Sequence, residues 1–323
     1  MISTHDMVER IVQRDRRSIA QVLSLVENDA DESIDILRLL FPYTGSAYRI
    51  GITGPPGAGK STLTNRLAKF YRTQNLKVGI IAVDPTSPFT GGALLGDRVR
   101  MSDLELDDDV FIRSMASRGN LGGLSKKTVE SADVLDAAGF DIVLLETVGV
   151  GQSEFDIVQA ADSILVVLVP ESGDGIQAMK AGLMELADIF IMNKADRPGA
   201  DQAVVSIEFM LKLRHGNRND WTVHIVKTQA VDGRGIDDVA ALIHQHRTFL
   251  QNSGGLSERR RIRLKRRIRE IISRQLHFDF WTPERASEFE DKIEQVHDRS
   301  TTPYDVAEKL ILGFKQSQAG ADL

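Results

Sequence analysis

The stretch that decides the fold lies at residues 54–62 and reads Gly54-Pro55-Pro56-Gly57-Ala58-Gly59-Lys60-Ser61-Thr62. It fits the pattern G-x4-G-K-[ST], in which glycines let the backbone turn its N–H groups towards phosphate oxygens. The run before it predicts a strand, and the residues after it predict a helix whose positive amino end favours anions. We expect Lys60 to reach the β- and γ-phosphates of a nucleotide and the Ser61 hydroxyl to bind Mg²⁺.

The composition is that of a globular protein. Of the 323 residues, 42% are hydrophobic and 27% are charged, and the net charge of −6 argues against nucleic acid as the main partner. Cysteine is absent, which excludes disulfides and thiolate metal sites. No apolar run could cross a bilayer, and residues 1–9 are polar and acidic, unlike a signal peptide. We therefore expect no membrane association and a cytoplasmic location.

The pattern of apolar residues predicts an α/β fold. Residues 1–45 show helical periodicity, with Ile19, Val22 and Val26 on one face. Short apolar runs then alternate with helical stretches, which predicts a doubly wound, mostly parallel sheet with helices on both faces. The predicted strands are 48–53, 78–84, 110–113, 141–146, 163–169, 189–193 and 223–226.

The carboxyl-terminal part is predicted to be helical. Residues 251–255 have the composition of a linker, and three amphipathic helices are expected beyond it. We thus predict a helical extension at 1–45, a nucleotide-binding domain at 46–250 and a helical arm at 251–323. The arginine-rich stretch 259–269 suggests RNA or anionic lipid, but the overall acidity favours a solvated face on a dimer helix.

The residues Asn193-Lys194-Ala195-Asp196 follow a predicted strand and indicate the base. The Asp196 carboxylate can accept hydrogen bonds from the ring N–H and the exocyclic amine of guanine, a pair of donors that adenine lacks. We expect Asn193 to brace the loop and the stem of Lys194 to cover the ring. Gln229 and Ala230 follow the last strand, and the Ala230 N–H is a candidate donor to the guanine carbonyl; the alternative is an ordinary strand-end loop.

Further residues are candidates for the metal and for hydrolysis. Glu146 ends a predicted strand, where a carboxylate would bind the metal, and Gly149 lies just beyond it, where a glycine N–H would meet the γ-phosphate. Asp84 and Asp97 are further metal candidates, although a helix cap or a solvated loop would also explain them. Gln152 is the candidate for positioning the attacking water. No arginine finger is identified, so we expect slow hydrolysis that a partner or dimerisation accelerates.

Four segments together resemble the MeaB/ArgK family of P-loop GTPases, over nearly the whole chain. They are 51–62, 193–196, Glu146-Thr-Val-Gly-Val-Gly-Gln-Ser-Glu154 and Asp84-Pro-Thr-Ser-Pro-Phe-Thr-Gly-Gly-Ala-Leu-Leu-Gly-Asp-Arg98. The glutamate at 146, where most GTPases have aspartate, is typical of the class of metal- and cofactor-delivery GTPases to which this family belongs.

The resemblance implies a chaperone of adenosylcobalamin-dependent acyl-CoA mutases, methylmalonyl-CoA mutase above all. It implies that GTP binding and hydrolysis, with GTP, GDP and Mg²⁺ as ligands, gate cofactor loading. It also implies a homodimer formed by the carboxyl-terminal arm, and an adenosyltransferase as a further partner. Residues 171–180 resemble the family's extra switch loop, in which Asp174, Gln177 and Lys180 would relay the presence of the mutase to the nucleotide.

Three other functions are alternatives to this one. A purely structural partner with a vestigial nucleotide site is disfavoured by the intact Lys60, Ser61, Glu146 and Asp196. Nickel- and zinc-insertion GTPases need cysteine- or histidine-rich motifs, and the absence of cysteine nearly excludes them. A kinase or ATPase of an amino-acid transport system (LAO/AO, arginine–ornithine) needs ATP, which Asp196 disfavours. Isobutyryl-CoA mutase and 2-hydroxyisobutyryl-CoA mutase are alternative clients to methylmalonyl-CoA mutase.

Overall fold

The predicted strands form one parallel sheet. The computed structural model describes residues 3–85, 101, 103–117, 123–147, 157, 159–172, 183–213 and 221–321. Within those residues the strands are β1 (Tyr48–Thr53), β2 (Val78–Pro85), β3 (Val110–Ser117), β4 (Ile142–Glu146), β5 (Ser163–Leu168), β6 (Ile189–Met192) and β7 (His224–Lys227). Their order is β3-β2-β4-β1-β5-β6-β7, and all neighbouring pairs are parallel. The prediction of a doubly wound parallel sheet is confirmed.

Helices precede, separate and follow the strands along the chain. In the described part they are α1 (Thr4–Val12), α2 (Arg16–Glu27), α3 (Asp31–Leu40), α4 (Lys60–Thr73), α5 (Gly123–Ala137), α6 (Leu183–Leu186), α7 (Ala200–Leu213), α8 (Ile236–Asn252), α9 (Gly255–Phe280), α10 (Pro283–His297) and α11 (Pro303–Ala321). Short 3₁₀ turns lie at Phe41–Tyr43 and Pro170–Ser172. No helix among these residues is long and apolar enough to cross a membrane.

Each face of the sheet buries its own core because successive side chains of a strand point to opposite faces. In β6, Ile189 and Ile191 join the core that includes α4 and α8, whereas Phe190 and Met192 join the core that includes α1–α3, α5 and α7. Every residue of β1, β4, β5 and β6 is buried. This explains why β4, β5 and β6 are apolar over most or all of their length instead of alternating.

The sheet has its topological switch point at β1. The chain leaves β1 for β2 on the side of β4 and returns later to β5 on the other side. Ligands of open α/β sheets bind at the carboxyl ends of strands beside such a point. The fold therefore directs attention to the residues that follow β1, β4 and β6.

The amino-terminal helices belong to the sheet's core. The Ser3 hydroxyl caps α1, and the Asp15 carboxylate caps α2 through the N–H of Ser18 at 2.8 Å. A contact of 2.5 Å between the guanidinium of Arg113 on β3 and the carboxylate of Glu27 ties α2 to the sheet. The predicted helical extension is thus integrated into the packing.

Arginines of α9 anchor the start of this helix to the amino ends of β5 and β6. Arg259 donates two hydrogen bonds to the Asp188 carboxylate, at 2.8 and 2.9 Å. Arg260 and Arg263 bind Asp162, whose side chain is fully buried. Burial would raise the pKa of Asp162, but these two arginines hold it below its usual range. Contacts divide the chain into Met1–Arg263 and Leu264–Leu323, so the division lies beyond the boundary predicted at residue 250.

The second unit, Leu264–Leu323, has its own aromatic contacts. The rings of Phe280 and Phe314 lie 5.4 Å apart, and the Arg285 guanidinium lies over both. Trp281 packs edge-on against Phe289. Several large apolar side chains of α9 nevertheless remain exposed, which are those of Leu264, Ile268, Ile271, Ile272 and Leu276.

A chain of buried polar groups lies at the amino ends of β1 and β5. The hydroxyls of Tyr48 and Ser163 are 2.6 Å apart, and Ser163 Oγ is 2.6 Å from His246 Nδ1 on α8. Burial lowers the pKa of His246 from 6.5 to about 4, although the Asp188 carboxylate, 3.4 Å from Nε2, opposes this shift. The Trp221 ring lies 4.8 Å from the imidazole.

The lowered pKa of His246 predicts a loss of stability in mild acid. Below about pH 6.5 the unfolded chain binds a proton that the folded chain refuses until about pH 4, so stability falls as the pH is lowered through that window. A shift of this size corresponds to roughly 3 kcal/mol in the free energy of unfolding. Urea titrations between pH 7 and 4 should show a shallower pH dependence for His246→Asn than for the wild type. The exposed neighbour His244→Gln is the control; parallel curves for all three proteins would contradict the assignment.

Candidate nucleotide site

The phosphate loop, residues 54–59, joins the central strand to α4. β1 ends at Thr53 and α4 begins at Lys60, so the loop opens onto the amino end of a fourteen-residue helix. The free N–H groups of a helix's first turn and its positive dipole end favour phosphate. The strand–loop–helix context predicted from the sequence is confirmed.

Two positions in this loop require glycine because atoms of neighbouring residues lie where a Cβ would be. Gly54 has φ +136°, and a Cβ there would lie 2.0 Å from the carbonyl oxygen of Val167 on β5. Gly59 has φ +91°, and a Cβ there would lie 2.3 Å from the side-chain nitrogen of Asn193. Both conformations favour glycine, and both approaches exclude a side chain.

The Lys60 ammonium lies over the phosphate loop. Its Nζ donates to the carbonyl oxygens of Gly54 at 2.8 Å and Pro55 at 3.0 Å. The side chain is largely buried, so its position is set by packing as well as by these bonds. A cation held over this loop at the amino end of α4 is suited to bind terminal phosphate oxygens.

Ser61 on α4 and Glu146 on β4 are two of the four predicted metal ligands, and their side chains are in contact. Ser61 Oγ donates to Glu146 Oε1 at 2.5 Å, and Glu146 is 3% exposed. Glu146 ends β4 and pairs in register with Ile52 of β1, which places it beside the phosphate loop. Hydroxyl and carboxylate oxygens are the hard ligands that Mg²⁺ prefers, so the pair fits this ion.

The amide of Asn193 connects the phosphate loop with residues 228–235, here named the base loop. Its Nδ2 donates to the Ala58 carbonyl at 2.8 Å. Its Oδ1 accepts from the Thr228 hydroxyl at 3.0 Å and from the Ala230 N–H at 3.1 Å. The expectation that Asn193 braces this region agrees with these contacts.

The residues after Asn193 turn back over the phosphate loop. Lys194 adopts φ +55°, and its Nζ donates to the Gly57 carbonyl at 2.8 Å. The Ala195 N–H donates to the Thr228 carbonyl at 3.0 Å. The Asp196 side chain is thereby presented in an exposed turn at the carboxyl end of β6.

Several predicted site residues lie outside the described part of the chain. β2 includes the backbone of Asp84, but its side chain is not among the described ones. The other residues outside the described ranges are Asp97, Gly149, Gln152, Asp174, Gln177 and Lys180. Their roles stay predictions.

Sequence reasoning missed several contacts. The Thr147 hydroxyl donates to Thr53 Oγ1 at 3.0 Å, which links the ends of β4 and β1. Arg197 donates to the Glu171 carboxylate at 2.5 Å, and this bond lowers the pKa of Glu171. Arg66 of α4 binds carbonyls of the base loop. The two threonines stand at strand ends, a signal that could have been used, whereas the arginines carry no motif.

Comparison with known proteins identifies the family of this chain. A sequence model of the family described as "Methylmalonyl Co-A mutase-associated GTPase MeaB" matches residues 19–284. A protein of Pyrococcus abyssi whose name assigns it to the GTPases is 47% identical over 308 residues, which cover 95% of each chain. The GTPase ArgK of Escherichia coli is 37% identical over 260 residues, covering 78% of each chain.

A solved structure shares the fold over almost the whole length. It is the crystal structure of a protein named as an LAO/AO transport system kinase, and it matches with a TM-score of 0.75 and 28% identity over 97% of each chain. The extent of the family match and the identity to its members leave one assignment: the chain belongs to the MeaB family of P-loop GTPases.

Proposed function

We propose that this GTPase acts as a chaperone of a cobalamin-dependent acyl-CoA mutase, with methylmalonyl-CoA mutase as the foremost client. The observation that carries this proposal is the match of residues 19–284 to a family described by its association with that mutase. Binding and hydrolysis of GTP would gate the loading of adenosylcobalamin onto the mutase. An adenosyltransferase would be the donor partner, and the cytoplasm would be the site of action.

The geometry supports GTP as the nucleotide. The phosphate loop and Lys60 would bind the β- and γ-phosphates, while Asp196 would accept two hydrogen bonds from guanine. The Ala230 N–H, which now donates to Asn193, would share its hydrogen with the guanine carbonyl. Because Asn193 ties both loops together, binding at either end of the nucleotide would stabilise the other end.

Hydrolysis depends on how charge on the phosphates is neutralised. Ser61 and Glu146 would hold Mg²⁺, and Asp84 and Asp97 would bind it directly or through water. This ion supplies positive charge to the β- and γ-phosphates. The Gly149 N–H would contact the γ-phosphate, and Gln152 would orient the attacking water. Without an identified arginine finger, the rate would be low until a partner binds.

A route from the nucleotide to the client would run through residues 171–180. Glu171 begins this segment and is bound by Arg197, which follows Asp196 by one residue. Asp174, Gln177 and Lys180 would sense the mutase. A displacement of Glu171 would then move Arg197 and, through it, the turn at Asp196 that would bind guanine.

The exposed apolar side chains of α9 support a homodimer. Leu264, Ile268, Ile272 and Leu276 recur every four residues, which places them along one side of the helix. A stripe of this kind, flanked by Lys265 and Arg269, is typical of a helix that packs against a second copy.

A kinase of an amino-acid transport system is the second candidate. It is suggested by the name of the structurally similar protein. The proposed role of Asp196 speaks against it, because a carboxylate there would select guanine, and a kinase of this type needs ATP. Tighter binding of ATP than of GTP would reverse this preference.

Changing Asp196 should change the base that is bound. Asp196→Asn should weaken GTP binding by roughly 100-fold, since two hydrogen bonds to a charged acceptor are lost. The amide should instead favour XTP, whose base has a carbonyl where guanine has an amine. Affinities measured by calorimetry for GTP, XTP and ATP test this expectation. Asp201→Asn, also exposed and five residues further on, should behave as the wild type; unchanged GTP binding by Asp196→Asn would rule out its role.

The client should accelerate hydrolysis. Adding purified methylmalonyl-CoA mutase should raise the steady-state rate of GTP hydrolysis at least tenfold, since charge-stabilising groups supplied by a partner give large accelerations. Lys60→Ala should show no activity with or without the mutase. Fast turnover of the GTPase alone, unaffected by any mutase that co-elutes with it, would contradict the chaperone role.

Breaking the apolar stripe of α9 should yield monomers. The double substitution Ile268→Glu and Ile272→Glu places two charges where the partner helix would pack, which costs far more than a surface change. Sedimentation velocity should show a dimer for the wild type and a monomer for this variant. Ser273→Glu is the control and should remain dimeric, because Ser273 is exposed and follows Ile272 by one residue, which turns it away from the stripe. A monomeric wild type would refute the dimer.

A further inference from the structure

Arg66 of α4 is a second residue, besides Asn193, that binds the base loop. Its Nε donates to the carbonyl oxygen of Ala230 at 3.0 Å, and a terminal nitrogen donates to the carbonyl oxygen of Val231. The guanidinium also lies beside Gly233, where a Cβ would be 3.8 Å from it. A planar fork of donors is suited to hold two successive carbonyls in one orientation.

The two anchors act on the same residue. The N–H of Ala230 donates to Asn193 Oδ1 at 3.1 Å, and its carbonyl accepts from Arg66. The peptide groups on both sides of Ala230 are therefore fixed, and Ala230 itself is only 2% exposed. The carbonyl also accepts a longer hydrogen bond, of 3.3 Å, from the Gly233 N–H. Without Arg66 this bond alone would orient the carbonyl, and the peptide would be held less firmly.

We propose that Arg66 is a positioning residue for guanine recognition, which sets the direction of the Ala230 N–H from the helix that also binds the phosphates. The proposal rests on the assignment of guanine to residues 193–196. Arg66 lies six residues beyond Lys60 on α4, a distance of about 9 Å along a rigid helix. One helix thus fixes the spacing between the phosphate loop and the base loop, and the nucleotide must match that spacing.

The competing explanation is that Arg66 only attaches α4 to its neighbours. In that case its loss would lower thermal stability and weaken all nucleotides equally. If it positions Ala230, its loss should weaken the nucleotide whose base has a carbonyl acceptor and leave adenine nucleotides unaffected. The selectivity for GDP over ADP therefore separates the two roles.

The test compares Arg66→Met, which keeps the stem and removes the donors, with Arg72→Met on the same helix. Arg72 binds Asp107 and Asp109, remote in sequence from the base loop. We expect Arg66→Met to bind GDP about tenfold more weakly and to release it correspondingly faster, with ADP affinity unchanged and Arg72→Met close to wild type. The dissociation constants and release rates are measured with fluorescent GDP and ADP in the full-length protein with Mg²⁺.

Two results would overturn the proposal: GDP affinity within twofold of wild type, or an equal loss for GDP and ADP. If Arg66→Met does not fold, Arg66→Lys replaces it, since a lysine keeps the charge but not the fork. A severalfold faster GDP release is expected for this variant, and a wild-type release rate would refute the role of Arg66. A wild-type protein that does not prefer GDP over ADP would instead refute the guanine assignment itself.

Discussion

The contacts of the Asn193 amide are the constraint on which the nucleotide site depends. This one side chain binds the Ala58 carbonyl of the phosphate loop and two groups of the base loop. Gly59 must lack a side chain for the amide to approach at all. The residues that would bind the phosphates and those that would bind the base are thus tied to each other by one buried amide, whose residue is 3% exposed.

Much of the fold could be predicted from the sequence because two local patterns indicate it, the apolar runs and the phosphate-loop motif. Continuous apolar runs mark strands covered on both faces, and the pattern at residues 54–62 requires a strand before it and a helix after it. β1 begins and ends at the predicted residues, and the other strands differ by at most a few residues at either end. Strand order was not predictable in this way, since pairing joins residues far apart in the chain.

The contacts that the sequence did not predict are those that long polar side chains make to residues far away along the chain. Arg66, Arg197 and Arg259 look like ordinary helix or turn residues, and only the fold brings each to its acceptor. The composition of residues 251–255 indicated a flexible linker, yet only Ser253 and Gly254 separate α8 from α9. Composition indicates how a segment would behave by itself. Here the arginines that follow the segment bind Asp188 and Asp162, just before β6 and β5, and these contacts hold the start of α9 in place.

The anchoring of α9 determines the shortest piece of this protein that can be expected to fold. β5 and β6 end in residues that contact the nucleotide site, and they begin beside Asp162 and Asp188. A fragment that stops at residue 250 would leave these two buried carboxylates without Arg259, Arg260 and Arg263. Uncompensated buried charge is strongly destabilising. An isolated nucleotide-binding fragment should therefore extend past Arg263, although all of its proposed ligand contacts precede residue 236.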